Sequence, residues 1–154
     1  MSQTAKGWRV VGLHHVAFAH GSDRTCVEEL GRLLEVEPHQ EQAAGFVERM
    51  FPAGDSWVQT LEAAGDGVVQ RFLDQRGPAL HHIAFAVDNL DVALADLRAR
   101  AVRLVDEQPR PGGLGTRIAF VHPSSFGGLL VELVEPRDDA SAEAREEKGN
   151  PQIG

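Results

Sequence analysis

Two short stretches of this chain carry the same chemistry. Leu13-His14-His15-Val16-Ala17-Phe18-Ala19 recurs as Leu80-His81-His82-Ile83-Ala84-Phe85-Ala86, with Val to Ile the only change. In an extended strand successive side chains point to opposite faces, so each copy separates into two sets. His14, Val16 and Phe18 form a bulky set suited to a core under helices. His15, Ala17 and Ala19 form a set of small residues suited to a cavity wall, and the second copy places His82, Ala84 and Ala86 in the same way. His15 and His82 are therefore the candidate ligands, while His14 and His81 are expected to point away from the cavity.

Each half also ends in a strand with one oxygen donor among apolar neighbours: Gln59 in Trp57-Val58-Gln59-Thr60-Leu61, and Glu132 in Leu130-Val131-Glu132-Leu133-Val134. A carboxylate inside an apolar strand is costly unless it is paired or bound to a metal. If a pseudo-twofold relates the halves, His15, Gln59, His82 and Glu132 face one another. Two imidazoles, an amide oxygen and a carboxylate suit a divalent transition metal (Co, Mn, Ni, Zn or Fe) with positions left open for substrate or water.

These residues need a scaffold, and the repeat indicates a duplicated unit. After the second copy, Asp88 or Asn89 can cap a helix with the stripe Leu90, Leu94, Leu97 and Ala101. Strands are expected at Val102 to Val105, Arg117 to His122 and Leu129 to Val134. In the first half, Ser22 or Asp23 caps a helix carrying Val27, Leu30 and Leu34. Strands follow at Phe46 to Phe51 and Ser56 to Leu61, and Leu34 to Gln40 could hold one more. The expected organisation is α+β: a βαβββ module at 11–66, a connector at 67–79 that is helical over Val68 to Gln75, a second βαβββ module at 80–136, and a disordered tail at 137–154. The curved mixed sheets of the paired modules would enclose the metal-binding cavity.

Composition narrows the class. Apolar residues make up 42% and charged residues 25% of the 154 positions, ordinary values for a globular protein. A formal net charge of -8 argues against nucleic acid or an anionic membrane as partner. The single cysteine, Cys26, rules out an internal disulfide and is expected to be a small buried residue. With neither a secretory h-region nor a stretch of spanning length, a cytoplasmic setting is expected. The Gly112-Gly113-Leu114-Gly115 loop lacks the context of a phosphate-binding fingerprint.

The second half is specific in its order: Leu80 to Phe85, Val87-Asp88-Asn89-Leu90, Arg110-Pro111-Gly112, Gly115, Ile118 to Pro123, and Gly127 through Leu133. Together with Leu13 to Ala19, Gly45 to Phe51, Gln59 and Phe72-Leu73, it resembles the methylmalonyl-CoA epimerases of the vicinal-oxygen-chelate (glyoxalase/bleomycin-resistance/dioxygenase) superfamily. The resemblance implies metal ligands at His15, Gln59, His82 and Glu132, and a metal-dependent isomerase that moves the proton alpha to a thioester carbonyl. It also implies a small-molecule substrate such as an acyl-CoA, and a homodimer. Glu132 would be ligand and one base. For the opposite face the resemblance implies an acid at Ala43; the nearest upstream carboxylate is Glu41, and Glu48 offers another on the following strand. A glyoxalase-type lyase, an extradiol dioxygenase and a metal-free small-molecule-binding protein are the other readings this superfamily allows.

Overall fold

The computed structural model describes residues 6–137, so the expected tail lies, past Arg137, outside the described residues. Among these residues the fold is mixed α+β, with eight strands and three α-helices. In chain order the elements are β1 (Val10–His20), α1 (Thr25–Leu34), β2 (His39–Ala43), β3 (Phe46–Ala53), β4 (Ser56–Ala63), α2 (Val68–Arg76), β5 (Ala79–Val87), α3 (Leu90–Ala99), β6 (Arg110–Pro111), β7 (Arg117–Val121) and β8 (Val131–Glu135). The order β-α-β-β-β thus occurs twice, with α2 between. Within 13–84 the strands are hydrogen-bonded in the order β2-β3-β4-β1, and within 85–137 in the order β8-β7-β6. The described residues divide into two compact units, 13–84 and 6–12 with 85–137, and β1 and β5 each run through both.

In unit 13–84, β1 runs parallel to β4, and β4, β3 and β2 follow antiparallel. The β3–β4 hairpin closes through Gly54 and Asp55, with Gly54 at φ 64°. Residues in register share a face. One face carries the rows His15 and Trp57; Ala17, Gln59, Met50 and His39; and Ala19, Leu61, Glu48 and Glu41. The other carries Phe18, Thr60, Arg49 and Gln40, then His20, Glu62, Val47 and Gln42.

The core of this unit departs from the sequence-based expectation. Ala17 and Ala19 are fully buried and cluster with Leu61 and Val69, with Phe72 and Leu73 packed against them. The small face is therefore covered by α2 beyond His15, and these alanines are not open cavity walls. Val16 and Phe18 are only half-buried, as are Val27, Leu30 and Leu34 of α1 and the lone Cys26. Asp23 orders the start of α1 by accepting from the Thr25 amide at 3.0 Å and its hydroxyl at 2.7 Å. The further strand expected within Leu34 to Gln40 forms at His39–Ala43 instead, where an edge strand needs no apolar alternation.

In the other unit α3 begins as expected, with Asn89 Oδ1 accepting from the Val92 amide at 3.1 Å. Its Leu90, Leu94 and Leu97 are buried against Val87, Ala119, Val121, Val131 and Leu133. Ala101 lies past the helix end in the left-handed region, φ 58°, and is exposed. The segment Val102 to Val105 makes only an isolated bridge, Leu104 to Val121, rather than a strand. Phe120 and Glu132 are in register, while their neighbours Ala119 and Leu133 belong to the core under α3; Glu132 thus stands on the opposite face of β8. Glu135 Oε2 accepts from the Leu90 amide at 2.7 Å, placing a carboxylate at the N-terminus of α3.

Candidate metal centre

His15 and His82 are both buried, and their Nε2 atoms approach to 3.0 Å. The rings meet edge to face, 5.1 Å between centroids. Two nitrogens bound at about 2.1 Å to one cation at a right angle are separated by about 3.0 Å, the separation of this pair. On β4, one strand from β1, Gln59 is also buried. Its Nε2 donates to Glu48 Oε2 at 2.9 Å, and its Oε1 has no hydrogen-bond partner. A buried acceptor left unpaired costs about 1–3 kcal/mol, which a cation would relieve. The paired imidazoles and the unpaired amide oxygen suit a divalent metal.

Glu132 on β8 is 4% exposed. Among the described residues, His15, His82 and Glu132 are all buried side chains of metal-ligating type. No helix among the described residues is long and apolar enough to cross a membrane.

The acids weighed for the opposite base share one face of the sheet. Glu41 and Glu48 are paired directly across β2 and β3, and both are half-buried. Glu41 Oε1 lies 3.1 Å from His39 Nε2. Glu48 is one strand nearer β1 and holds the Gln59 amide. Sequence reasoning offered Glu48 as a second carboxylate, and its parity with Met50 and Phe46 on β3 puts it on the face of Gln59. Sequence reasoning missed an ion cluster on the opposite face: Glu62 accepts from Arg49 at 2.7 Å and from Arg24 at 3.0 Å. Burial pushes the Glu62 carboxyl upward, but hydrogen bonds from Arg24 and Arg49 and their charges outweigh it and hold it below the usual range.

His14 and His81 also do more than the alternation suggested. His14 Nδ1 lies 2.7 Å from His15 Nδ1, and His81 Nδ1 lies 2.9 Å from His82 Nδ1. The two repeats thus present the same pairing of adjacent imidazoles.

The family model for the glyoxalase/bleomycin resistance protein/dioxygenase superfamily matches residues 14–120. The mitochondrial methylmalonyl-CoA epimerase of Bos taurus is 35% identical over 133 residues, 82% of this chain and 75% of its own. The crystal structure of methylmalonyl-CoA epimerase from Mycobacterium tuberculosis superposes with a TM-score of 0.78 at 34% identity, covering 92% of this chain and 97% of that one. A methylmalonyl-CoA epimerase in complex with methylmalonyl-CoA and NH4+ gives a TM-score of 0.76 at 31% identity, covering 84% and 97%. The chain belongs to the glyoxalase/bleomycin resistance protein/dioxygenase superfamily, among its methylmalonyl-CoA epimerases.

Proposed function

We propose that this protein is a metal-dependent epimerase that inverts carbon 2 of methylmalonyl-CoA, with one divalent cation held by His15, Gln59, His82 and Glu132. The observation that carries the reading is the 3.0 Å approach of the His15 and His82 Nε2 atoms beside the unpartnered Gln59 Oε1. Further support comes from the epimerase relatives and from a structural neighbour whose ligand is methylmalonyl-CoA.

When bound, the cation supplies Lewis-acid polarisation of the thioester carbonyl, so that negative charge can develop on its oxygen. The chain supplies the rest. Inversion at a carbon alpha to a carbonyl needs a base on each face of the planar intermediate. Glu48 takes the proton on one face, and Glu132 delivers a proton on the other; the reverse direction exchanges their roles. Glu48 is preferred to Glu41 because it is held by Gln59 and stands nearer β1, whereas Glu41 is paired with His39 on the outer strand. The ordered Gln59 amide keeps the Glu48 carboxylate in one rotamer, which is the positioning that proton transfer requires. The reading includes a cytoplasmic homodimer.

The test is proton exchange in heavy water. Metal-loaded protein and one epimer of methylmalonyl-CoA should give deuterium at carbon 2 together with the other epimer, and chelation should stop both. If the metal-loaded protein causes neither exchange nor inversion, the epimerase reading fails.

A further inference from the structure

We propose that His14 and His81 are positioning residues: each accepts, at its own Nδ1, the Nδ1 proton of the adjacent imidazole, and so aims the Nε2 lone pairs of His15 and His82 at the cation. The inference rests on the metal site argued above and assigns two residues outside its ligand set.

The geometry supplies the donor and acceptor roles. Nδ1 to Nδ1 separations of 2.7 Å and 2.9 Å are hydrogen-bond distances, so one nitrogen of each pair carries a proton and the other offers a lone pair. A neutral imidazole that binds a metal through Nε2 has its proton on Nδ1. His15 and His82 are then the donors, and His14 and His81 accept while carrying their own protons on Nε2. The interplanar angles, 76° and 79°, are alike in the two repeats, so the same device occurs twice. In the second copy Phe72 stands edge-on to His81, 4.7 Å between centroids, and limits the rotation of the outer ring.

A partner on the second ring nitrogen fixes the tautomer and orientation of a ligating histidine, and its removal typically costs about 10- to 100-fold in metal affinity. An ordinary core histidine would have no such effect. Alternation keeps His14 and His81 off the ligand face, yet their Nδ1 atoms, the ring nitrogens closest to the backbone, still reach the neighbouring ring.

The test compares His14→Ala and His81→Ala with His14→Asn and His81→Asn. The Asn Oδ1 acceptor is as many bonds from the backbone as Nδ1. Co2+ affinity is measured by competition with a chelator, and the visible Co2+ spectrum reports ligand geometry. Each Ala variant should bind Co2+ about 10- to 100-fold more weakly with an altered spectrum, and each Asn variant should recover to within about threefold. Unchanged affinity in the Ala variants, or Asn variants as weak as Ala, would overturn the proposal. A second measurement needs no variant: in Zn2+-loaded protein, two-bond 15N–1H correlations should show His14 and His81 as Nε2–H tautomers, and Nδ1–H at either position is contrary to it. If the unmodified protein takes up no Co2+, the metal site fails and this inference with it. If the protein binds Co2+ and His82→Ala abolishes binding while His14→Ala and His81→Ala leave affinity unchanged, this inference alone fails.

Discussion

The Gln59 side chain joins a carboxylate to an unsatisfied acceptor: its Nε2 donates to Glu48 at 2.9 Å while its Oε1, on the same planar amide, has no partner. Reversing the amide would set an oxygen against a carboxylate, so Glu48 decides which way Gln59 points. Glu48→Gln keeps an acceptor for that bond but cannot act as a base. Epimerisation should fall by about 100- to 10,000-fold while metal content stays at one per chain. Elemental analysis and NMR detection of inversion check this, and full inversion by the variant would move the base to Glu41.

Much of the site was legible because it lies within single strands. Period-two alternation separates His15 from His14 without knowledge of any other element, and an acid inside Leu130 to Val134 stands out on cost alone. What was not legible depends on pairing between strands. Glu48 is brought beside Gln59 by the β3–β4 register, and Glu41 beside Glu48 by the Ala44-Gly45 turn. Neither register is written in the hydrophobic pattern of one segment. Nor is the covering of Ala17 and Ala19 by Val69, Phe72 and Leu73, since small residues suit a close-packed helix as well as a cavity wall. The strand expected at Val102 to Val105 gave way to local geometry: Ala101 turns into the left-handed region, and Leu104 and Val102 join the core under α3.

Metal binding should appear as stability as well as activity. A cation that binds only the folded chain stabilises it by about 2.7 kcal/mol at a free concentration of 100 times its Kd. Adding Co2+ to metal-free protein should therefore raise Tm, and chelator should reverse the rise. His82→Ala removes one of the two converging nitrogens and should lose both bound metal and the Tm shift. Full occupancy in that variant would place the metal elsewhere.

The Arg24–Glu62–Arg49 cluster predicts a pH dependence with a definite sign. The folded Glu62 carboxyl titrates below its ordinary range, because the two arginines outweigh burial. Its stabilisation is thus complete above the unfolded glutamate pKa of about 4.3 and is lost as pH falls through the lower folded value. Arg49 is 7% exposed at its side chain, so Glu62→Gln leaves a buried cation without its partner, at a cost of about 3 kcal/mol near neutrality. The Tm difference between the two proteins should be largest at pH 7 and shrink below about pH 4. A difference independent of pH over that interval would show that packing, not charge, makes Glu62 matter.

The turn that sets Glu41 against Glu48 should be the least forgiving glycine in unit 13–84. Gly45 sits at φ 82°, and a Cβ built there would lie 2.6 Å from the Asp66 carbonyl oxygen, a backbone atom with little freedom to move. The Gly45 carbonyl also accepts from the Ala64 amide at 2.9 Å, so the turn is fastened to the segment after β4. Gly54, in the β3–β4 hairpin, has a similar φ of 64° but open space where its Cβ would go. Gly54→Ala should therefore cost only the backbone penalty, about 1–2 kcal/mol. Gly45→Ala adds the clash and should cost at least about 2 kcal/mol more, a further drop of roughly 4–8 °C in Tm for a chain of this size. Because relief of the clash must move the turn, epimerisation by Gly45→Ala should also fall while that of Gly54→Ala holds. Thermal melts and initial rates on the two variants side by side decide it, and equal losses would mean that contact with Asp66 does not hold the β2–β3 register.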